Sequence, residues 1–488
     1  MGLFDIFKRS APARPLPSRT QRGPFQAATV DRLTASWLAT NREINEEIRG
    51  DLDALRARSR DLVKNNDLGK RFVKMVSRNI VGSAGYILQA RVLNAPASPD
   101  TLANAAIEAA WHKWAKRGSA EISGRQSFAD LQRTVAQAIA TDGEALIQII
   151  RRDTRNPEQF ALRHLDVARL DTTNNRAAAN GQTAIVMGVE IDDYTRPIAY
   201  WIRPKVGQGQ SVRYEASEII HVYNPEHAEQ VRGVPWMHAS MLAMHDLGDF
   251  TKSALLNARR SADNLGFIVS PTGDPTAMQD ESVAGEALKL SAPGTYDVLP
   301  EGYDIRTPEY AYPNTVFEPF TKAIMRRVAS GMDVAAHNLT GDMTDVNYSS
   351  ARIAELEERD HWITLQNWFR DAFIEPVYAA WFASAMTYST ITLPGGQPLP
   401  IGKAEKFKAH EWQARRWAWV DPKKDIEAAR LEVKTGIASP QMIAARNGVD
   451  IEDVLDSIAA FEAMVAAKKV SMIDYEITPN TAPQEQQP

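Results

Sequence analysis

The sequence predicts an α+β protein in which helices and a strand-rich part occupy different stretches of the chain. Apolar residues recur at helical spacing in six segments, at 29–80, 100–117, 127–141, 236–265, 315–333 and 351–384. Short β-favouring runs separated by turn residues fill residues 145–223 instead. Because strands and helices do not alternate one by one, we expect a mostly antiparallel sheet packed against the preceding helices.

The composition excludes several classes of protein. At about 100–200 residues per domain, the 488 residues allow roughly two to four compact units. Cysteine is absent, which excludes a disulfide-stapled scaffold, a thiolate zinc site, a cysteine nucleophile and an iron–sulfur centre. The formal net charge of −5 argues against a tight, sequence-reading nucleic-acid binder. No apolar run reaches the roughly 18 residues that a membrane-spanning helix needs, so no contact with a membrane is expected.

Both ends of the chain have the composition of flexible tails. Residues 1–24 form a basic arm, with four prolines and five Lys or Arg between residues 8 and 24. A contact with an acidic surface or phosphate is one interpretation, and a solvated tail is the favoured one. The apolar residues at its start fit an amphipathic anchor or, preferably, packing on a partner subunit: they are Leu3, Phe4, Ile6 and Phe7. Residues 471–488 are polar, contain proline and are predicted to be disordered.

Local signals place several elements in the first half. Ser127 is a candidate N-cap, and Asp142-Gly143 a helix end. One strand is expected over residues 185–191. The helix over 236–265 should start after Pro235 and, with thirty residues at 1.5 Å each, reach about 45 Å.

The second half contains strand and turn patterns at 266–312, an irregular stretch at 337–350 and a long helix at 351–384. In that helix Pro376 predicts a kink, and Glu355 with Arg359 a favourable ion pair. Its shared apolar face consists of Trp362, Leu365, Phe369, Phe373 and Val377. Three shorter helices follow, with start signals at Asp421-Pro422, Ser439-Pro440 and Asp450 and stop signals at Gly436 and Asn447-Gly448.

Residue patterns that carry chemistry are mostly missing. No phosphate-binding loop, dinucleotide fingerprint, nucleophile elbow or two-histidine zinc motif is present. Among histidine pairs, His238 and His245 would lie two helical turns apart, too wide for shared ligation, and His221 with His227 has no further support. The carboxylates Asp142 and Glu144 flank an expected turn, which needs no catalytic explanation. We therefore expect no catalytic residue, no metal and no cofactor.

The order of several short segments resembles one family, the lambda-type portal proteins of tailed bacteriophages. In the first half these segments are Arg56-Ala-Arg-Ser-Arg-Asp-Leu-Val-Lys-Asn-Asn, Asn79-Ile-Val-Gly, Asp142-Gly-Glu-Ala, Gly188-Val-Glu-Ile-Asp-Asp-Tyr-Thr-Arg-Pro-Ile-Ala-Tyr-Trp, Ile219-Ile-His-Val-Tyr and Gln230-Val-Arg-Gly-Val-Pro-Trp. In the second half they are Leu339-Thr-Gly-Asp-Met, Asn347-Tyr-Ser-Ser-Ala-Arg and Trp417-Ala-Trp-Val-Asp-Pro-Lys-Lys-Asp. The resemblance rests on their joint order over residues 56–425 rather than on any one of them.

This resemblance implies the portal protein fold: an elongated subunit with wing, helical stem, β-containing clip and helical crown that assembles as a ring of about twelve at one capsid vertex. The implied parts are a flexible arm at 1–24, a wing at 25–235, a first stem helix at 236–265, a clip at 266–312, a second stem helix at 313–336, a tunnel loop at 337–350, a kinked long helix with the rest of the wing at 351–420, a crown at 421–470 and a tail at 471–488. The implied partners are further copies of the chain, double-stranded DNA bound non-specifically, the terminase large subunit, the major capsid protein with its scaffold, and head–tail adaptor proteins.

Helix geometry agrees with a ring of that size. Twelve helices packed about 10 Å apart give a circumference near 120 Å and an axis-to-axis diameter of about 38 Å. Subtracting one helix width leaves a bore of about 28 Å, which passes a B-form duplex with little to spare.

The resemblance also assigns candidate DNA-channel residues. The tunnel loop carries short polar or acidic side chains and no Lys or Arg, so contacts with phosphate would be weak and DNA could slide. These residues are Asn338, Thr340, Asp342, Thr344, Asp345 and Asn347. On the second stem helix, Lys322, Arg326 and Arg327 form either a basic ring that faces DNA or salt bridges between subunits.

Two other functions compete with the portal interpretation. A metal-dependent nuclease acting on packaged DNA would need clustered carboxylates or histidines, for which the sequence gives little support. A minor capsid protein or tail adaptor of similar size would form a ring without the stem–clip–stem order.

Overall fold

The computed structural model describes residues 41–94, 98–153, 155–179, 182–263, 267–269, 304–306, 316–344, 347–417, 422–446, 449 and 451–468. Several predictions lie outside these residues: the basic arm, most of the clip, Asp345, the caps at Asp421 and Asp450, the stop at Asn447-Gly448, and the C-terminal tail.

Four helices form the first part of the chain, where the sequence predicted three helical segments, because the predicted segment at 29–80 contains two of them. They are α1 (Ile44–Asn65), α2 (Asp67–Ile80), α3 (Thr101–Trp114) and α4 (Phe128–Asp142). Asn66 separates α1 from α2, and its side chain accepts a hydrogen bond from the Gly69 amide at 3.1 Å. The N-cap at Ser127 is confirmed as a capping box with Asp130, and Gly143 ends α4 in the left-handed conformation.

Three antiparallel sheets account for most strands. A three-stranded sheet has the order β10-β4-β5, formed by Ile219–Tyr223, Glu144–Arg151 and Phe160–Leu165. A four-stranded meander contains β6 (Ala184–Val186), β7 (Val189–Ile191), β8 (Pro197–Ile202) and β9 (Val212–Glu215). A two-stranded sheet pairs β1 (Ile87–Ala90) with β13 (His410–Gln413), and a small hairpin joins β2 (Leu93–Asn94) to β3 (Ser98–Pro99).

The prediction of a single strand over residues 185–191 is wrong, because this stretch forms the β6–β7 hairpin. Met187 and Gly188 both have positive φ, +47° and +83°, which is the backbone of a tight two-residue hairpin turn. The Met187 amide donates to Asn175 Oδ1 at 2.8 Å, so a distant side chain stabilises the turn. β9 was not predicted, because its short run contains charged residues.

Long helices dominate the second half. They are α5 (Met241–Asp263), α6 (Phe317–Ser330), α8 (Tyr348–Phe369) and α9 (Glu375–Thr387), and the short α7 (Ala336–Thr340) lies between α6 and α8. α5 begins five residues later than position 236, because the His238 and Ser240 amides bond three residues back to Pro235 and Met237 and form turns. β11 (Phe267–Val269) and β12 (Asp304–Arg306) pair antiparallel, as the strand patterns at both ends of 266–312 suggested.

The kinked long helix forms the centre of the largest core. A π-helical turn, Arg370–Ile374, separates α8 from α9 directly before Pro376, which cannot donate a backbone hydrogen bond. The predicted apolar face is confirmed, since all five of its residues are at most 8% exposed. Glu355 and Arg359 form the predicted ion pair at 3.6 Å. Phe373 of this face lies 6.0 Å from Phe128 on α4, and Trp381 on α9 packs against Trp111 and Trp114 on α3 in the same core.

A 3₁₀ segment (Ile401–Lys408) precedes β13, and three helices follow it: α10 (Pro422–Lys434), α11 (Pro440–Arg446) and α12 (Ile451–Lys468). Ser439 caps α11 as predicted, because its Oγ accepts from the Met442 amide at 3.2 Å. Gly436 has φ +74° and lies two residues after the end of α10, which agrees with the predicted stop. None of the helices among the described residues has the length and apolar character needed to cross a bilayer.

Candidate functional site

The α5–α6 pair is held together by aromatic and polar contacts. Phe250 on α5 stacks on Phe317 with ring centroids 5.7 Å apart and meets Phe320 edge-on at 5.2 Å. Where α5 begins, Ser240 Oγ donates to the Val328 carbonyl at 2.9 Å. The two helices therefore contact along one side and near both ends of α6.

The α5–α6 pair also presents large apolar side chains to solvent in the single chain. On α5, Leu242, Leu255 and Leu256 are 73%, 54% and 53% exposed. On α6, Phe320 is 47% exposed, and the neighbouring Val316 is 61% exposed. An apolar surface of this kind is typical of a face that another protein surface covers.

The first part of the expected irregular stretch is helical. Asn338 and Thr340 lie on α7, and Gly341 ends this helix with φ +80°. Asn338 Nδ2 donates to Glu358 Oε2 at 2.7 Å, and Thr340 Oγ1 donates to the Ala336 carbonyl at 2.8 Å. Both side chains therefore have hydrogen-bond partners inside the chain.

α7 is fixed from two neighbouring helices. Glu358 on α8 is 8% exposed, and its carboxylate accepts from the Ala335 amide at 3.1 Å and from Trp362 Nε1 at 2.9 Å. Arg71 on α2 donates from Nε to the Asn338 carbonyl at 3.0 Å. These contacts position the start of the segment that continues through Gly341.

After Gly341 the chain makes a polar turn against α6. The Asp342 carboxylate accepts from the Thr344 amide at 2.9 Å and from Thr344 Oγ1 at 2.6 Å. The hydrogen bonds from Thr344, followed by the charge of Lys322, lower the pKa of Asp342, so it is ionised at neutral pH. Asn347 is exposed and lies one residue before α8.

The three basic residues of α6 have different surroundings. Lys322 is 20% exposed, and its Nζ lies 2.9 Å from Glu318 Oε1 and 3.1 Å from Thr344 Oγ1. Its ammonium thus contacts groups of its own chain. Arg326 and Arg327 are exposed on the next turn of the helix.

The short segments that carry the family resemblance meet in a buried ionic cluster. Glu144 opens β4 with a fully buried side chain, and Arg232 donates to it from Nε and Nη2 at 2.9 and 2.6 Å. Arg56 from α1 forms a second buried ion pair with it, and His221 Nε2 lies 2.8 Å away. The Gly233 amide also donates to this carboxylate at 2.9 Å. We call Arg56, Glu144, His221 and Arg232 the ionic junction.

The electrostatics of the ionic junction favour a charged glutamate and a neutral histidine. Burial alone would raise the pKa of Glu144, but the charges of Arg232 and Arg56 outweigh it and hold this pKa well below its usual value. Burial lowers the pKa of His221, and Glu144 compensates only in part. The junction joins α1, β4 and β10 to the segment that leads into α5.

A close backbone approach completes this junction. Gly143 has φ +87°, and a Cβ there would lie 2.2 Å from the Val234 carbonyl carbon. Only glycine allows the two segments to come so near. The chain therefore leaves the junction toward α5 in a fixed direction.

Three important residues were not identified from the sequence. Glu144 was attributed to a turn, although it is the buried acceptor of the junction. Arg71 and Glu358 position α7 from helices distant in sequence. The signal available for the junction was that Arg56 and Arg232, which both pair with Glu144, lie within family-like segments.

The histidine pairs are not brought together as ligand sets. His238 Nδ1 contacts its own Pro235 carbonyl at 3.0 Å, and exposed His245 lies 3.7 Å from both Asp246 and Asp249. Across the residues whose structure is described, no group of three or more His, Asp or Glu has the geometry to hold a metal ion.

The mixed helical and sheet fold and the family-like segments that meet in the ionic junction agree with a phage portal protein. The chain belongs to the lambda family of phage portal proteins, whose sequence pattern matches residues 30–366. A probable portal protein of Halomonas phage phiHAP-1 is 31% identical over 464 residues, which cover 92% of this chain and 87% of that protein. Portal protein B of Escherichia phage lambda is 19% identical over 459 residues, covering 86% and 85%.

The chain is also similar to chains of solved structures. A chain in the virion of a native gene transfer agent particle gives a TM-score of 0.45 at 16% identity, covering 82% of this chain and 93% of that one. An HK97-family phage portal protein from Corynebacterium diphtheriae gives 0.33 at 13% identity, covering 75% and 95%.

Proposed function

We propose that this chain forms a ring of about twelve subunits at one vertex of a phage capsid and acts as the channel for DNA packaging and ejection. The ring docks the terminase large subunit during packaging and the head–tail adaptor proteins afterwards. It also nucleates procapsid assembly with the major capsid protein and scaffold in the host cytoplasm, and it has no catalysis of its own. Family membership supports this class of protein, and the exposed apolar side chains on α5 and α6 support the ring.

The exposed apolar side chains of the α5–α6 pair carry the proposal of a ring. Leu242, Leu255, Leu256 and Phe320 are about half or more exposed in one chain. Burying such a side chain contributes about 1.5–3 kcal/mol to the free energy of association, so a neighbouring copy that covers several of them is bound strongly. In a closed head-to-tail ring a neighbour covers these side chains on every subunit, whereas in an open head-to-tail dimer one subunit leaves them exposed.

The charge of the chain supports loose DNA binding. Twelve chains at −5 each carry a formal charge of −60, so the assembly as a whole repels a duplex. Contacts in the channel are then confined to local groups such as Asp342, Thr344, Asn347 and Arg327. Weak, sequence-independent contacts of this kind let DNA move through.

We assign the parts of the subunit as the sequence predicts them and take the ends of the helices from the structure. We assign the stem to α5 and α6, the tunnel loop to α7 and the residues up to α8, and the crown to α10–α12. The 23 residues of α5 span about 34 Å. The clip includes the β11–β12 pair.

Electron microscopy of matched variants tests the ring. Leu255→Glu places a charge on the α5 face and should abolish rings, leaving monomers or small oligomers. Leu93→Glu is the control, because Leu93 on β2 is equally exposed at 54%. Intact rings in both variants would contradict the proposed interface.

A second experiment tests the channel. Shortening residues 341–347 should leave ring assembly intact and impair DNA packaging or retention, measured as DNA protected from nuclease inside filled capsids. Normal packaging would contradict the tunnel-loop assignment. DNA cleavage by purified rings with magnesium or manganese would instead favour the nuclease.

A further inference from the structure

A small basic cleft lies between α6 and α7. Its volume is about 250 Å³, and Lys322 and Arg326 line it from positions four residues apart on α6. His337 and Thr340 line it from α7, and Met325 forms an apolar wall. Two cationic side chains, an imidazole and a hydroxyl therefore face one space large enough for a phosphate group.

Asp342 is the acidic residue in the lining of this cleft. Its Oδ2 lies 3.5 Å from Lys322 Nζ, and the same Nζ contacts Thr344 Oγ1 at 3.1 Å. Thr344 in turn donates to Asp342, and Lys322 Nζ also lies 2.9 Å from Glu318 Oε1, so the ammonium has Glu318 on its own helix and the Asp342–Thr344 turn around it. The carboxylate side chain is 39% exposed and can be displaced without crossing a packed core.

We propose that this cleft is a phosphate site for DNA in the channel, in which a backbone phosphate replaces the Asp342 carboxylate at the ammonium of Lys322. The inference rests on the proposed function and deepens it. Lysine binds phosphate as a point charge, so the contact carries no sequence information. Asp342 occupies the place of the phosphate as long as no DNA is present.

This exchange couples the position of the tunnel loop to DNA. Lys322 joins α6 to the turn at 342–344, whereas Arg71 and Glu358 hold α7 itself. Displacing Asp342 therefore loosens the turn at 342–344 but leaves α7 in place. Exchanging one anion for another at the same ammonium changes the free energy little, which suits a duplex that must slide.

A double-mutant cycle tests the competition directly. Rings are titrated with a fluorescent 30-base-pair duplex, and the dissociation constant is measured by anisotropy at fixed ionic strength. Asp342→Asn removes the competing carboxylate and should tighten binding about two- to fivefold, the range of an exposed ion pair. In the Lys322→Gln background the same substitution should change binding less than about 1.5-fold.

Asp246→Asn is the matched control, because it removes the same charge from an exposed position on α5 that does not contact Lys322. Equal tightening by both substitutions, or the same effect of Asp342→Asn with and without Lys322, overturns the inference while the portal function stands. Rings that bind no duplex under any condition also overturn the inference, whereas no rings at all contradict the proposed function itself.

Two further measurements keep the result unambiguous. Thr344→Val removes the hydroxyl that holds Asp342 and should also tighten binding, so a second route exists if Asp342→Asn fails to assemble. Inorganic phosphate is the other probe, followed through its competition with the duplex. An Asp342 effect that appears with inorganic phosphate but not with the duplex overturns the assignment to DNA.

Discussion

Replacing Glu144 by glutamine should strongly destabilise the protein, because this carboxylate neutralises two buried arginines. It accepts hydrogen bonds from Arg232, Arg56, His221 and the Gly233 amide, and its side chain is fully buried. Glutamine keeps one acceptor oxygen, places an NH₂ group among donors and leaves both guanidinium charges uncompensated. Breaking a buried ion pair in this way costs about 3–5 kcal/mol.

Glu411→Gln is the matched control for this prediction. Glu411 also lies on a strand and pairs with an arginine, Arg91, at 3.3 Å, but its side chain is 67% exposed. An exposed pair contributes about 0–1 kcal/mol. The free energy of unfolding is measured by urea titration with tryptophan fluorescence. Equal losses in the two variants, or a loss below about 1 kcal/mol for Glu144→Gln, would refute the role given to the junction.

Three more predictions concern local features. His221 takes up a proton near pH 6.5 when unfolded but not when folded, because its folded pKa is lowered, so stability should fall as pH drops below about 6.5 by at most about 1.4 kcal/mol per unit. His221→Gln should reduce this slope in thermal melts, and exposed His245→Gln should leave it unchanged. Gly143→Ala should lower the free energy of unfolding by more than about 2 kcal/mol, because the new Cβ meets the Val234 backbone. Gly436→Ala, which has open space around it, should lower it by only about 1–2 kcal/mol through backbone strain. Equal urea midpoints of the two variants would contradict this prediction. Ser127→Ala should cost about 1 kcal/mol through the lost capping box, and an unchanged melting temperature would count against that contact.

Features with short-range causes were predicted well from the sequence. The cap at Ser127 and the ion pair between Glu355 and Arg359 involve residues three or four positions apart. The apolar face of α8–α9 follows from helical periodicity alone, and the π-helical turn at Arg370–Ile374 ends two residues before Pro376, the residue at which a kink was predicted. Each of these signals lies within a single helical segment of the sequence.

Features that depend on distant residues could not be predicted. The β6–β7 turn uses Met187 with positive φ, which is uncommon for a side chain of this type, and an Asn175 hydrogen bond supports it. The ionic junction joins residues 56, 144, 221 and 232, so no local window contains it. Among the candidate channel residues, the sequence indicated polarity but not that Asn338 would bond to Glu358.

The central claim is that the chain functions as a closed ring around DNA, and a direct image of the purified full-length protein tests it best. Class averages from negative-stain electron microscopy should show rings of about twelve subunits with a central opening of about 28 Å. A species that remains monomeric at high concentration, or rings without an opening wide enough for a duplex, would contradict the proposal that the chain forms a closed ring around DNA.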